Sequence, residues 1–255
     1  MCYDSDARPP LPPGPPGPAR GEDLILTASD GNRFAAYAAY PDQAAQAQVL
    51  IYPDIRGLHQ FYKELALRFA ESGVTAIAMD YVGRTAGLTA RDDAFEFRPQ
   101  VDTLQLRTIL ADATAAITHL HTSGTDRRAM FVLGFCIGGG LALYTGTEDL
   151  GLAGVVGFYA GLGRKWAEDR GTVLEAARFI KTPVLGLFGG ADQGIPADQV
   201  QMLDQTLDQT GVAHEIVIYP DAPHSFFDRR AADYVEASAD AWQQVLGFIA
   251  KQRPQ

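Results

Sequence analysis

Cys136 is the residue in this chain best placed to do chemistry. It lies in Phe131–Gly140, FVLGFCIGGG, which reads as an apolar strand, the pentapeptide Gly134-Phe135-Cys136-Ile137-Gly138, and the opening of a helix. A nucleophile held in so tight a strand-to-helix turn must adopt a strained backbone. The residues two before and two after it then come too close for side chains, which is what the two glycines permit. Gly139 and Gly140 let the new helix pack tightly against its sheet. The unpaired N–H groups and the dipole at that helix N-terminus favour a thiolate over a thiol. Taken alone, the pentapeptide also fits a buried structural cysteine in a glycine-rich strand exit.

An acid and a histidine follow at the ends of later strands. Pro183–Phe188 (PVLGLF) runs into Gly189-Gly190-Ala191-Asp192, and Glu215–Tyr219 (EIVIY) runs into Pro220-Asp221-Ala222-Pro223-His224. The order Cys136, Asp192, His224 is nucleophile, acid, base, the order found in α/β-hydrolases. In that arrangement His224 takes the thiol proton and later delivers it to the leaving group, while Asp192 fixes the tautomer. Each loop has an alternative reading, with Asp192 as a helix cap and His224 as a surface turn residue. Three such placements in the correct order favour catalysis.

The elements that must position these side chains form a regular series. Leu24–Ser29 and Phe34–Tyr40 are strand patterns joined by Asp30-Gly31-Asn32, a hairpin turn. Continuous apolar runs follow at Gln48–Tyr52, Val74–Met79, Ala129–Gly134, Gly154–Tyr159, Pro183–Phe188 and Glu215–Tyr219. Helical patterns separate or follow them at Phe61–Glu71, Val101–His121, from Ile137, Pro196–Gln209 and Ala231–Lys251. Strands apolar on both faces that alternate with helices predict a mostly parallel, doubly wound sheet, here with an antiparallel hairpin at its start. Chemistry in such sheets gathers at the C-terminal strand ends. Pro9–Pro18, PPLPPGPPGP, is too proline-dense for helix or ladder. Residues 1–21 therefore read as an arm lying along its own domain or a neighbouring subunit, and residues 22–255 as one α/β domain. That leaves a homo-oligomer open.

Composition narrows the function classes. Across 255 residues, 21 Lys and Arg against 31 Asp and Glu give a net charge of −10, which argues against nucleic acid or an anionic membrane surface as the partner. No apolar run is long enough to span a membrane, and the proline-rich start excludes a secretory signal. Two cysteines, Cys2 and Cys136, cannot form a disulfide framework, so the cytoplasm is the expected compartment. Metal-ligand spacing, a dinucleotide fingerprint and a Walker sequence are all missing, so no cofactor or metal is expected.

The chain resembles the dienelactone hydrolase (carboxymethylenebutenolidase) family from about Leu24 to Phe248. The matching segments are GFCIGGG at Gly134–Gly140, GGADQGIP at Gly189–Pro196, APHSF at Ala222–Phe226, and PDIRGLHQFYKELALRFAESG at Pro53–Gly73. The resemblance implies an α/β-hydrolase fold, with Cys136 as nucleophile, His224 as base and Asp192 as its orienting acid. It places the oxyanion hole at the backbone N–H groups of Ile137 and Ile55. The family has a glutamate beside the second donor, where it contacts the resting nucleophile; Asp54 stands there. It also has a carboxylate-binding arginine four residues after the histidine, where this chain has Asp228 with Arg229 adjacent. An aspartate there repels an anionic substrate rather than holding it. Arg56, Arg84 and Arg98 are other cationic candidates, and His59 is a candidate pocket residue. Tyr81, Phe158, Tyr159 and Trp166 follow strands on the same side, giving an aromatic pocket suited to small esters and lactones.

The leading expectation is thus a small-molecule ester or lactone hydrolase working through an acyl-thioester. A thiol redox sensor would need Cys2 as the resolving thiol. A non-catalytic binding protein on the same fold is the third alternative.

Overall fold

The computed structural model describes residues 7–92, 94–122, 129–167 and 169–252. Cys2, and with it any pairing to Cys136, lies outside the described residues. The strands are β1 (Ala19–Thr27), β2 (Arg33–Pro41), β3 (Ala47–Tyr52), β4 (Val74–Met79), β5 (Met130–Phe135), β6 (Gly154–Phe158), β7 (Lys165–Ala167), β8 (Gly171–Thr172), β9 (Val184–Gly189) and β10 (His214–Tyr219). The helices are α1 (Gln60–Glu71), α2 (Gly83–Ala86), α3 (Arg98–Val101), α4 (Leu106–Thr122), α5 (Ile137–Thr145), α6 (Val173–Ala176), α7 (Ala197–Thr210) and α8 (Val235–Lys251).

Eight strands form one sheet in the order β1-β2-β4-β3-β5-β6-β9-β10, while β7 and β8 pair separately. The β1–β2 and β2–β4 pairings are antiparallel, and every later pairing in the large sheet is parallel. This is the mostly parallel sheet with an N-terminal hairpin that the apolar runs predict. Every residue of β3, β4, β5, β6 and β9 is buried, so helices cover both faces of the sheet centre. Among the described residues no helix is long and apolar enough to cross a membrane.

Three element boundaries differ from expectation. The first strand starts at Ala19 rather than Leu24, because its opening residues sit on an open sheet edge and carry no apolar signal. The helix expected over Val101–His121 begins only at Leu106, as α4, after a separate short helix, α3, that ends at Val101. Between them Leu104 N–H bonds Val101 O at 3.3 Å, and the Thr103 hydroxyl bonds Gln100 O at 3.0 Å, so a local side-chain bond replaces helical continuation. The last helix starts at Val235, four residues late, since Ala231 to Tyr234 are held in turns by bonds to Asp228 O and Arg230 O.

The proline-rich arm lies against its own chain. Gly17 N–H donates to Glu71 O at 2.8 Å, at the end of α1. Trp242 in α8 donates its indole N–H to Pro10 O at 2.8 Å, and its ring packs on Phe69 of α1 at 4.8 Å. Proline supplies carbonyl acceptors without competing donors, which suits it to this strapping role.

Candidate active site

Only one residue separates β5 from α5, and it is Cys136. Its backbone is at φ 57° and ψ −118°, a region that costs a non-glycine residue roughly 1–3 kcal/mol. Main-chain bonds hold it there: Cys136 N–H donates to Phe158 O at 3.0 Å, and its carbonyl accepts from Gly161 N at 3.0 Å and Gly140 N at 3.2 Å. The cysteine itself stays half-buried, so its thiol is not sealed into the core. Among the described residues the other non-glycine positions with positive φ are Tyr159 and Ser225. Tyr159 directly follows β6 and Ser225 directly follows His224, so all three strained residues lie at C-terminal strand ends or the loops beyond them.

The loops after β9 and β10 are stitched together. Gly190 N–H donates to Tyr219 O at 2.8 Å and Ala191 N–H to Ala222 O at 3.0 Å. That stitching sets Asp192 against His224, with Asp192 Oδ2 2.6 Å from His224 Nδ1. The other carboxylate oxygen accepts Gly194 N–H at 2.8 Å. The Asp192 side chain is 2% exposed and the His224 side chain 32%, so the acid is shielded and the imidazole can be reached. A carboxylate can only accept, so Nδ1 carries the proton, and in the neutral imidazole Nε2 keeps its lone pair.

An aromatic stack backs the histidine loop. Phe135 packs on Phe158 at 4.7 Å, Phe158 on Phe227 at 4.7 Å, and Phe227 on Trp242 at 5.6 Å. Tyr159 packs on His224 at 4.9 Å, so the residue after Phe158, whose carbonyl anchors Cys136, also touches the imidazole. This is how the structure links Cys136 to His224.

Asp54 and Asp228 are both fully buried. Asp54 Oδ1 accepts Arg56 N–H at 3.0 Å, and its carbonyl accepts the Tyr81 hydroxyl at 2.7 Å, which braces the loop carrying Ile55. Ile55 is half-buried and Ile137 buried. Asp228 Oδ2 accepts the Tyr159 hydroxyl at 2.7 Å, and its Oδ1 accepts the Arg229 N–H. Burial, then the charge of Asp54, pushes the Asp228 carboxyl up to about 7, while the Tyr159 and Arg229 bonds and a protonated His224 pull the other way.

That shift makes Asp228 a burden on the fold. The unfolded chain releases the proton near the ordinary value of 3.8, whereas the folded chain keeps it to about 7, so stability is lost as pH rises between those values. Asp228→Asn removes the penalty, and its amide can still serve Tyr159 and the Arg229 N–H. The variant is expected to melt above the wild type at pH 8, with a ceiling on the order of 4 kcal/mol, and to lose that advantage towards pH 4. Thermal melts at the two pH values check this.

The remaining candidates divide. Tyr159 is at the site. His59 is buried and caps α1, its Nδ1 accepting Phe61 N–H at 3.3 Å, and it lines a 290 Å³ pocket with Asp80 and Arg91. Arg56 is buried and donates to Asp92 O at 3.0 Å. Arg84 is held by Asp112 at 2.8 Å and Asp30 at 2.6 Å, tying α2 to α4 and the first hairpin. Arg98 is exposed at the start of α3. Trp166 lies under Arg164 at 4.3 Å and lines a 620 Å³ pocket with Leu106, Leu110 and Arg170, none of which is part of the Cys136 site. The sequence reading missed the buried Asp80–Arg91 pair at 2.7 Å. An Asp directly after an apolar strand was the available signal.

Comparison with known proteins agrees with this architecture. A family model described as the dienelactone hydrolase family matches residues 34–252. A Yersinia pestis protein named "putative carboxymethylenebutenolidase" is 29% identical over 236 residues, covering 91% of this chain and 88% of the relative. A Synechocystis protein of the same name is 30% identical over 233 residues, covering 87% and 93%. The crystal structure of a "putative dienelactone hydrolase" from Klebsiella pneumoniae superposes with a TM-score of 0.79 at 27% identity, covering 92% of this chain and 99% of the other. A dienelactone hydrolase-like promiscuous phosphotriesterase from metagenomic libraries shares the fold, with a TM-score of 0.74 at 21% identity over 93% and 100% of the two chains. The chain belongs to the dienelactone hydrolase family and is a hydrolase on the α/β-hydrolase fold.

Proposed function

We propose that this hydrolase cleaves small esters or lactones by covalent catalysis at Cys136. The observation that carries the reading is the 2.6 Å bond between His224 Nδ1 and the shielded Asp192 carboxylate, which frees Nε2 to act as a base on a ring packed against Tyr159, the neighbour of the Phe158 that anchors Cys136. His224 Nε2 removes the thiol proton as Sγ attacks the carbonyl carbon. The negative charge passes to the carbonyl oxygen, which the N–H groups of Ile137 and Ile55 receive. Collapse breaks the bond to the alcohol oxygen, and the imidazolium protonates that oxygen as it leaves. His224 then takes a proton from water, whose oxygen attacks the thioester. Loss of the carboxylic acid restores the thiol. Asp192 holds the tautomer and stabilises the imidazolium in both halves.

The intermediate tests this reading. Wild-type protein quenched in acid during turnover of p-nitrophenyl acetate is expected to gain one acetyl group, mapped to the Cys136 peptide by mass spectrometry. Turnover with no acyl adduct on Cys136, or an adduct mapped elsewhere, overturns it.

A further inference from the structure

His224 lies in the loop between β10 and α8, and α8 grips the chain on both sides of it. Before the histidine, the Tyr219 hydroxyl donates to Asp240 Oδ2 at 2.8 Å. After it, the buried Ser238 hydroxyl donates to Phe226 O at 3.0 Å, and the Phe227 ring packs on Trp242 at 5.6 Å. The Tyr219 and Phe226 rings meet at 4.9 Å, which closes the loop on itself. Ser238 and Trp242 stand four residues apart, on one face of α8. Trp242 is in turn held by Pro10 O of the arm and by Phe69 of α1. Between His224 and Phe226, Ser225 is buried at φ 63°, a conformation that persists in a non-glycine residue only where its surroundings impose it. The Asp228 and Arg230 N–H groups both donate to Ser225 O, at 3.3 and 3.0 Å, and Ser238 fixes the next carbonyl. Loss of the Ser238 bond takes a partner from that buried carbonyl and lets the strained residue relax, which turns the backbone carrying His224.

We propose that Ser238 and Trp242 are positioning residues for His224, holding its strained loop in the conformation that keeps the imidazole on Asp192. This deepens the proposed function and rests on it, since it takes His224 as the base. Neither residue touches the reacting atoms. Their route to the chemistry is the backbone from His224 to Phe227, and an ångström-scale misplacement set off by a remote substitution costs up to about a hundredfold in rate. The arm joins this support through Trp242, although it stands outside residues 34–252, which the family model matches.

The test is made on the full chain with p-nitrophenyl acetate. His224 serves both half-reactions, so a displaced imidazole slows acylation and deacylation together, and kcat falls while KM stays within about threefold. Ser238→Ala is expected to lower kcat about ten- to a hundredfold. Trp242→Phe keeps a ring but gives up the N–H to Pro10 O, and is expected to lower kcat about three- to tenfold. Ser238→Thr retains the hydroxyl and is expected to recover most of the loss. Gln243→Ala, at an exposed position of α8, is expected to change nothing. Melting curves confirm that each variant is folded at the assay temperature, because a residue that serves stability alone leaves kcat per folded molecule unaltered. Amide exchange across residues 225–230 is expected to quicken at least about tenfold in Ser238→Ala and to stay unchanged in β5 and β6. An active wild type whose kcat ignores Ser238→Ala overturns the proposal, and so does a Ser238→Thr variant as slow as Ser238→Ala. A wild type inert towards the ester would instead count against the hydrolytic reading. Amide exchange then decides alone, and rates unaltered across residues 225–230 overturn the positioning role as well.

Discussion

Cys136→Ala and His224→Ala are each expected to lower kcat for a short-chain p-nitrophenyl ester by about 10³- to 10⁴-fold, with the double variant no worse than either single one. Non-additivity is the informative part. A thiol without its base and a base without its thiol are equally disabled, so the second removal finds nothing left to lose. Asp192→Asn should fall into the same range for a different reason. Its amide can present an N–H to His224 Nδ1 across the 2.6 Å bond, which reverses the tautomer and puts the proton on Nε2, where it cannot accept another. Folding is checked separately, because Cys136 sits at φ 57°. Cys136→Gly relieves that strain and is expected to melt no lower than the wild type while being equally inactive. Steady-state kinetics on the four single variants and the double variant decide the matter. An active Cys136→Ala, or single losses that multiply in the double variant, would mean that the two residues do not work as one unit.

What the sequence could say about this site depended on whether the signal was local. The turn at Gly134–Gly138 is written in five consecutive residues, and β5, β6 and β9 are written in apolar runs that need both faces covered. Asp192 and His224 were legible because each lies within five residues of the end of a strand pattern. The direction of a side chain leaving a strand end is a different matter, since loop dihedrals set it and no spacing rule encodes it. Arg84 and Trp166 follow strands like the others, yet one is held by Asp30 and Asp112 and the other packs beneath Arg164. The meeting of Asp54 with Asp228 had no local signature either. Each is a single acid in its own loop, and the fold brings both to the same end of the sheet because β3, β5 and β6 are successive strands and Tyr159, after β6, reaches Asp228. The opening of β1 went unseen because Arg20 to Asp23 are exposed on both faces of the strand and so carry no apolar alternation.

Gly138→Ala is expected to destroy the fold rather than trim the activity. An alanine Cβ at this position would stand 2.5 Å from Tyr52 O and closer still to Pro53 O, inside the 3.0 Å that real Cβ atoms keep. Both oxygens belong to the backbone at the end of β3, which is bonded to β4 on one side and β5 on the other. Neither neighbour can give way as a flexible side chain would, and α5 cannot retreat without pulling Cys136 from Phe158 O. Gly134→Ala meets the same obstacle from the other direction, with its Cβ 2.8 Å from Gly139 N and closer to Gly138 O. Each substitution is expected to cost more than about 4 kcal/mol, seen as insoluble protein or a melting temperature lowered by more than about 10 °C. Gly247→Ala is the counterpart. Gly247 lies within α8, and its added Cβ meets nothing within 4 Å, so the same substitution is expected to stabilise by about 0.5–1 kcal/mol. Opposite signs for one chemical change would show that the glycines of the cysteine turn are there for contact distance, not for composition. If Gly138→Ala melts within a few degrees of the wild type, α5 can stand off from β3, and the tight turn is not what holds Cys136 in its strained conformation.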